Sequence, residues 1–447
     1  MLDTPLTHPF TYLLKQRGWG KAEFADLMQV HGATLGVPLA TNRTTVWKWE
    51  QGQRPDQDAQ YVLADLLGVP QELARPELWP TWLPVWEVAG LRRPWTLAGT
   101  VDALDDLVRS AHMDRRGFLT ITGATLSALA TSWATAPSAF AAAADGDRVT
   151  DEMAATLEQR VATLRSLDAQ MGGARLLDQA RSDLALITTM IKQARYTDAV
   201  GERLHSLAAQ VSYLTGWMAY DSGLHSAGQQ YYVAALRAAR TAGDDDLGAF
   251  ILAEMGVHAS DGGYNKERVQ LLSTAIESSG KSIPLHSRAY LYLHLAAAQA
   301  QQKQHREAAS ALHRSTQLWE RASGDLPEWL GWFGESQINS TRGKIMLWAG
   351  HSEQAADFLV ASVDASVPRD RAVRAGRLAE AYLQGNNLDG ALAAANEGAD
   401  LLERRVASGR ALGRLTEFSG KLGKFKNEPA VREFRERVKA LPSPVAA

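Results

Sequence analysis

The sequence predicts an all-α chain: a small bundle of short helices at the N-terminus, then a long α-solenoid of stacked helical hairpins. Three observations predict it. Ala, Leu, Arg, Gln and Glu dominate the composition, while alternating Val/Ile-rich runs are scarce, which favours helix over sheet. Helical periodicity then runs almost unbroken from residue 147 to about Leu441. Within that stretch, small residues recur at set places relative to successive turns, the mark of stacked repeats. The 447 residues exceed what one small core can organise, since domains hold about 100–200 residues.

Composition excludes several function classes. Hydrophobic residues make up 45% and charged residues 22%, a globular balance. The chain has no cysteine, so disulfides, thiolate metal sites and cysteine nucleophiles are ruled out. The formal charge is −3, so any nucleic-acid binding must come from a local patch. Met1 to Pro9 is polar and has no apolar core segment, which is unlike a secretory signal. A cytoplasmic location is therefore expected, with no membrane partner.

Residues 1–75 form the first predicted domain. Phe10 to Gln16 is apolar at helical spacing and stops at Arg17-Gly18. Lys21 to Val30 places Phe24, Leu27 and Met28 on one face. A looser stretch of about ten residues, from Gly32 to Thr41, contains Gly32, Gly36 and Pro38. Asn42 caps a third helix that runs to Gln51 and ends at Gly52. Asp56 to Leu67 forms a fourth, stopped by Gly68 and Pro70.

The third helix carries the strongest motif, Thr44-Thr45-Val46-Trp47-Lys48-Trp49-Glu50-Gln51-Gly52. Val46 and Trp49, three apart, face a core. Arg43, Thr44, Trp47 and Lys48 face outward. A basic, hydroxyl-bearing face on a short helix suits the major groove. The motif, with Lys21-Ala22-Glu23-Phe24-Ala25 ahead of it, resembles the Cro/repressor-like (xenobiotic-response-element) helix-turn-helix family. The resemblance implies that Arg43, Thr44 and Lys48 touch base edges, with Trp47 on the same face. It also implies that Asn42 and Lys21 touch the backbone; Arg54 is a further phosphate candidate. The long turn departs from the family's short one. Residues 1–75 hold seven Lys/Arg against eight Asp/Glu, so the alternative is a four-helix packing module without DNA binding.

Residues 76–146 read as a strap and linker. Pro76, Pro80, Pro84 and Pro94 alternate with Trp79, Trp82, Trp86 and Trp95, which prevents long helices while favouring burial. Helix returns over 99–112. Asp114-Arg115-Arg116-Gly117-Phe118-Leu119 then opens an uncharged stretch from 117 to 144. This looks like a twin-arginine export signal, but it lies behind a folded module and is weak for a membrane span. A buried linker helix is the favoured reading.

Residues 147–441 form the predicted array. Its five hairpins share one layout: a small residue within the first helix, a turn, a small residue early in the second helix, and an apolar one after it. The sets are Gly216, Gly223, Gly228 and Tyr232; Gly256, Gly263, Leu272 and Ala275; Ala296, Lys303, Ala308 and Leu312; Gly343, Gly350, Ala355 and Leu359; and Ala379, Asn386, Ala391 and Ala395. Turns at 223, 263, 303, 350 and 386 are spaced by 40, 40, 47 and 36 residues. The pattern resembles the tetratricopeptide repeat, whose period is about 34 residues, so longer helices or loops are expected. An irregular helical bundle is the alternative. The order of helix-turn-helix, Trp/Pro strap, Arg-Arg-Gly-Phe-Leu segment and array resembles a group of actinobacterial regulators. Gly216-Trp217-Met218-Ala219-Tyr220-Asp221 and Tyr231-Tyr232-Val233-Ala234-Ala235-Leu236 also look like that group.

In such arrays the first helix of each hairpin lines the concave face. The register puts Tyr213, Trp217, Tyr220, Phe250, Tyr290, Lys344 and Glu380 near it, a set suited to a peptide; core packing is the alternative for Trp217 and Phe250. The architecture is similar to that of peptide-pheromone-sensing regulators. Ala275 to Ser282 loosely fits a phosphate loop, but a helix precedes it and Pro284 follows, so it reads as a loop between hairpins. No catalytic constellation or metal-ligand spacing occurs, so no enzymatic turnover, cofactor or metal is expected. The expected function is a sequence-specific DNA-binding transcriptional regulator. Its array binds a peptide, small molecule or protein effector, and it acts as a homodimer on double-stranded DNA. The alternatives are a repeat scaffold that does not bind DNA and an exported or membrane-tethered protein.

Overall fold

The computed structural model describes residues 9–16, 19–67, 79–80, 83, 93–110, 123–135, 148–261, 264–279 and 282–442. Among the described residues every regular element is helical, and an isolated parallel bridge joins Arg148 to Arg195. The fold is all-α, as the composition and periodicity predict. The described residues divide into two compact units, one ending at Leu83 and the other beginning at Arg93.

The first unit holds α1 (Pro9–Gln16), α2 (Lys21–Thr34), α3 (Arg43–Glu50) and α4 (Gln57–Leu66). Its core joins Phe10, Leu13, Phe24, Met28, Val46, Trp49, Val62 and Leu63, with Leu83 and Trp79 of the strap packed on it. Phe10 is central: its ring lies 5.3 Å from Phe24, 5.7 Å from Trp49 and 5.6 Å from Trp79. Such edge and tilted pairs are favourable beyond their buried area.

The sequence ends α2 near Val30, but the helix runs one turn further. Gly32 does not break it. A Cβ there would lie 2.5 Å from the Val37 carbonyl oxygen, so the glycine lets the returning chain cross the helix. The connection to α3 is therefore residues 35–42. Gly36 turns with φ +72°, and Leu35, Val37 and Leu39 pack on the core.

The second unit begins with α5 (Leu97–Ser110) and α6 (Gly123–Thr135). α5 packs on α8 (Leu177–Gln193) and on α10 (His225–Thr241), and α6 packs on α12 (Asn265–Ser279). The α6 part of the uncharged stretch is thus a folded helix. It buries Leu126, Leu129, Ala130 and Trp133, and Trp133 sits so close to Gly248 that a Cβ there would be 2.5 Å from its ring. Arg115 and Arg116 lie outside the described residues. No described helix is long and apolar enough to cross a membrane.

The array proper continues with α7 (Asp151–Met171), α9 (Asp198–Asp221), α11 (Asp245–Asp261), α13 (Leu285–Gln301), α14 (His305–Arg321), α15 (Glu335–Trp348), α16 (Ser352–Asp364), α17 (Pro368–Gln384), α18 (Leu388–Arg404), α19 (Gly409–Lys421) and α20 (Pro429–Ala440). The hairpins are α9/α10, α11/α12, α13/α14, α15/α16 and α17/α18. Their expected turn residues adopt the left-handed conformation: Gly223 at φ +85°, Lys303 at 62°, Gly350 at +85° and Asn386 at 59°. The remaining one, Gly263, lies outside the described residues.

The small residues do what the repeat layout requires. A Cβ on Gly216 would meet Tyr232 Cδ1 at 2.9 Å, and one on Gly343 would meet Leu359 Cγ at 2.6 Å. In the second hairpin the contact differs from the expected one, because Gly256 faces the stem of Arg268. The unit also closes on itself. α17 packs on α7, and α19 reaches α9. Arg369 pairs with Asp168, and Arg410 Nε donates to Asp221 Oδ1 at 2.8 Å.

Candidate nucleic-acid interface and effector site

α3 is set by its cap. Asn42 is extended, and its Oδ1 accepts hydrogen bonds from Thr44 N at 2.9 Å, Thr45 N at 3.0 Å and Thr45 Oγ1 at 3.2 Å. Two orphan amides of the first turn are thereby satisfied. Val46 is 0% exposed and Trp49 3%, which fixes the rotation of the helix. Arg43, Thr44, Trp47 and Lys48 are then all exposed, with Trp47 half open. Spacings of three and four residues gather them on one face. Arg54, beyond the Gly52 turn, is exposed as well.

Two of the expected backbone contacts have other partners. Asn42 is exposed, but its side-chain oxygen is committed to the cap, which leaves only its amide NH₂ free to donate. Lys21 Nζ lies 2.6 Å from Glu50 Oε2. That pair ties the start of α2 to the end of α3 and neutralises one of the cations expected at a phosphate.

The effector residues lie on the first helices of the hairpins, but most are covered. Tyr213, Tyr220, Phe250 and Tyr290 are at most 5% exposed. They form a packed aromatic layer in place of an open groove wall. Tyr213 and Phe250 rings are 4.8 Å apart, and Phe250 and Tyr290 rings 5.5 Å. The hydroxyls of Tyr213 and Tyr290 both donate to Glu254, and that of Tyr220 to Asp261. Burial raises the Glu254 carboxyl above the usual range, opposed by those two tyrosine hydrogen bonds. Trp217 is part-exposed beneath two guanidiniums, Arg410 at 4.3 Å and Arg369 at 5.4 Å from its ring. Glu380 pairs with Lys421.

Lys344 is the exception among these residues. It is part-exposed with no ion-pair or hydrogen-bond partner among the described residues. Burial, then Arg377, Arg268, Arg374 and Arg414, push its ammonium well below its ordinary value. Sequence reasoning missed the cations around it. The available signal was register: Lys344 directly follows the packed Gly343.

In the segment that loosely fits a phosphate loop, Ala275 is buried within α12 and Pro284 caps α13. A helix therefore precedes the loop; Gly280 and Lys281 lie outside the described residues. No metal-holding cluster of His, Asp and Glu occurs among the described residues.

A family described as the SP15 N-terminal domain matches residues 10–76, which spans the first unit's helices. No curated protein matches the chain. Two solved structures are similar to it. One is the apo form of the quorum sensor NprR from B. thuringiensis, with 12% identity, covering 76% of this chain and 90% of that one at a TM-score of 0.36. The other is yeast Tom70, also at 12% identity, covering 92% of this chain and 98% of that one at a TM-score of 0.29. Likenesses at these scores carry no functional argument.

Proposed function

We propose that the chain is a sequence-specific DNA-binding regulator. On this reading α3 enters the major groove, and the hairpin array receives an effector and mediates a dimer in the cytoplasm. The observation that carries the reading is the split of α3 into two faces. Val46 and Trp49 are buried, while Arg43, Thr44, Trp47 and Lys48 stand exposed together. Arg43 and Lys48 supply donors for guanine edges, Thr44 a hydroxyl, and Arg54 a cation for phosphate. A single short helix reads few base pairs, so two copies on a two-fold-related site, about one helical turn apart, are expected. No enzymatic turnover is part of the proposal.

One observation favours a second reading, a repeat scaffold without DNA binding: Lys21 is paired with Glu50 and so adds little to a phosphate-facing surface. Genome-wide mapping of DNA that co-purifies with the tagged chain separates the two. Discrete enriched sites sharing a two-fold-related motif support the regulator. Recovery no better than that of an untagged control supports the scaffold.

A further inference from the structure

The array concentrates charge where α12, α13, α15, α17 and α19 meet, and the charges there do not cancel. Most of the interior ions are matched. Arg369 pairs with Asp168 and Asp370, Arg410 with Asp221, and Arg414 with Glu417 at 2.9 Å and Asp261 at 3.7 Å. Arg374 is 5% exposed and fully engaged. It donates to Ser336, Ser362 and Ser366, and to Gln337 Oε1 at 2.7 Å.

Four groups are not matched. Lys344 and Arg377, on the neighbouring helices α15 and α17, are part-exposed and have no hydrogen-bond or ion-pair partner among the described residues. Arg268 is 4% exposed, and its guanidinium donates to the neutral Gln301 Oε1 at 3.2 Å, while its Nε has no partner. His294 is 4% exposed, and neither ring nitrogen has a partner. A buried polar group left unsatisfied costs about 1–3 kcal/mol, and an unpaired charge costs more. Arg268 and His294 carry the buried-group cost on the adjoining helices α12 and α13, and Lys344 and Arg377 follow on α15 and α17.

The chemistry of a matching ligand follows from the donors. Three basic side chains and an imidazole offer hydrogen-bond donors and positive charge; Asp261 offsets part of the charge of Arg268 and Arg377, and Glu254 part of that of Arg268, but neither carboxylate forms an ion pair with them, and both accept from tyrosines. Glu254 accepts from Tyr213 and Tyr290, and Asp261 from Tyr220. The surroundings are aromatic: the Tyr290 ring lies 4.3 Å from His294 and 5.7 Å from Trp332, which is 40% exposed. We propose that Arg268, His294, Lys344 and Arg377 form a binding site for a multiply charged oxyanion group, a phosphate or a polycarboxylate, carried by a small effector. This names the chemistry of the effector and rests on the regulator reading above.

The electrostatics give the site a signature. Burial and then Arg377, Arg268, Arg374 and Arg414 depress the Lys344 ammonium, and burial with Arg268 and Lys344 depresses His294. An entering anion reverses the field of these cations, so binding takes up protons from solution.

The test is calorimetric titration of the full-length protein, without DNA, with pyrophosphate and separately with citrate. Ionic strength is held constant with chloride, in two buffers of different ionisation heat. The expected result is saturable binding of at least one probe with proton uptake. Lys344→Gln and Arg377→Gln should each weaken it at least tenfold, and the exposed Arg306→Gln should leave it unchanged. Stronger binding of pyrophosphate assigns a phosphate-bearing effector, and stronger binding of citrate a carboxylate. No saturable binding of either probe by the wild type overturns the proposal, as does binding that Lys344→Gln and Arg377→Gln, both folded by circular dichroism, leave intact. Because DNA is absent from the titration, failure here and failure of the DNA-binding reading are distinguishable.

Discussion

Asn42 does more for α3 than any residue that is proposed to face DNA. It satisfies two first-turn amides and sets where the helix begins, and Val46 and Trp49 then set which way it faces. Cap chemistry and three-residue apolar spacing are local, so these features were legible in the sequence. The Lys21–Glu50 pair was not, because it joins residues on different helices that only the fold brings together. The division of labour on α3 has a measurable consequence. Trp49→Ala should cost the N-terminal unit about 3–5 kcal/mol by leaving a cavity beside Phe10. Thr44→Ala, at an exposed position, should change stability by less than about 0.5 kcal/mol. Chemical denaturation followed by tryptophan fluorescence checks both. A Thr44 variant as unstable as the Trp49 variant would mean that the outer face of α3 is packed.

The hairpin is the element from which the array is built, and its turn chemistry makes opposite predictions at two sites. Lys303 holds φ 62°, a left-handed conformation that costs a residue with a Cβ about 1–2 kcal/mol. Lys303→Gly should therefore stabilise the array by about 0.5–1 kcal/mol after the entropy cost of glycine. Gly343→Ala should destabilise it by about 1–3 kcal/mol, since the new methyl would lie 2.6 Å from Leu359 Cγ. Thermal unfolding of the two variants measures both signs. Four of the five turn positions, and the Gly216–Tyr232 and Gly343–Leu359 contacts, were readable from spacing because close helix approach demands small residues at set intervals. The extra turn of α2 was misread for a related reason: Gly32 looks like a helix stop, yet it serves a crossing contact with Val37 that spacing does not show. The unmatched cations could not be read either, since Arg268, Lys344 and Arg377 meet only through the stacking of separate hairpins.

At the scale of the whole molecule, the array buries many polar and titratable side chains, among them Asp168, Asp221, Glu254, His258 and His294. His258 is 1% exposed, and its Nε2 lies 3.1 Å from His225 Nδ1. Burial, then the neighbouring His225, pushes its pKa from the ordinary 6.5 down to about 3, against the pull of Asp261. As pH falls below 6.5, the unfolded chain takes up this proton and the folded chain does not. The stability linked to a neutral His258 is therefore full above 6.5 and is lost as pH falls toward 3. Asp168, raised to about 6 by burial, works in the opposite sense, contributing stability at low pH that is lost as pH rises through 6. Comparing His258→Asn with wild type isolates the histidine. The stability difference should move in favour of the variant by about 2 kcal/mol between pH 6.5 and pH 5. A pH-independent difference would show that His258 titrates normally.

The proposed regulator requires that α3 reads bases while its surroundings only hold the duplex. A footprint titration across salt, on a site recovered from the genome map, measures this with wild type, Arg43→Ala and Arg54→Ala. Loss of a bidentate arginine–guanine contact removes about 1–3 kcal/mol of discrimination. Arg43→Ala should therefore weaken specific binding roughly tenfold to a hundredfold and relax the preference at one position. Arg54→Ala should weaken all sequences alike and lower the salt slope by about one unit. Equal losses from the two variants on every sequence would contradict the account.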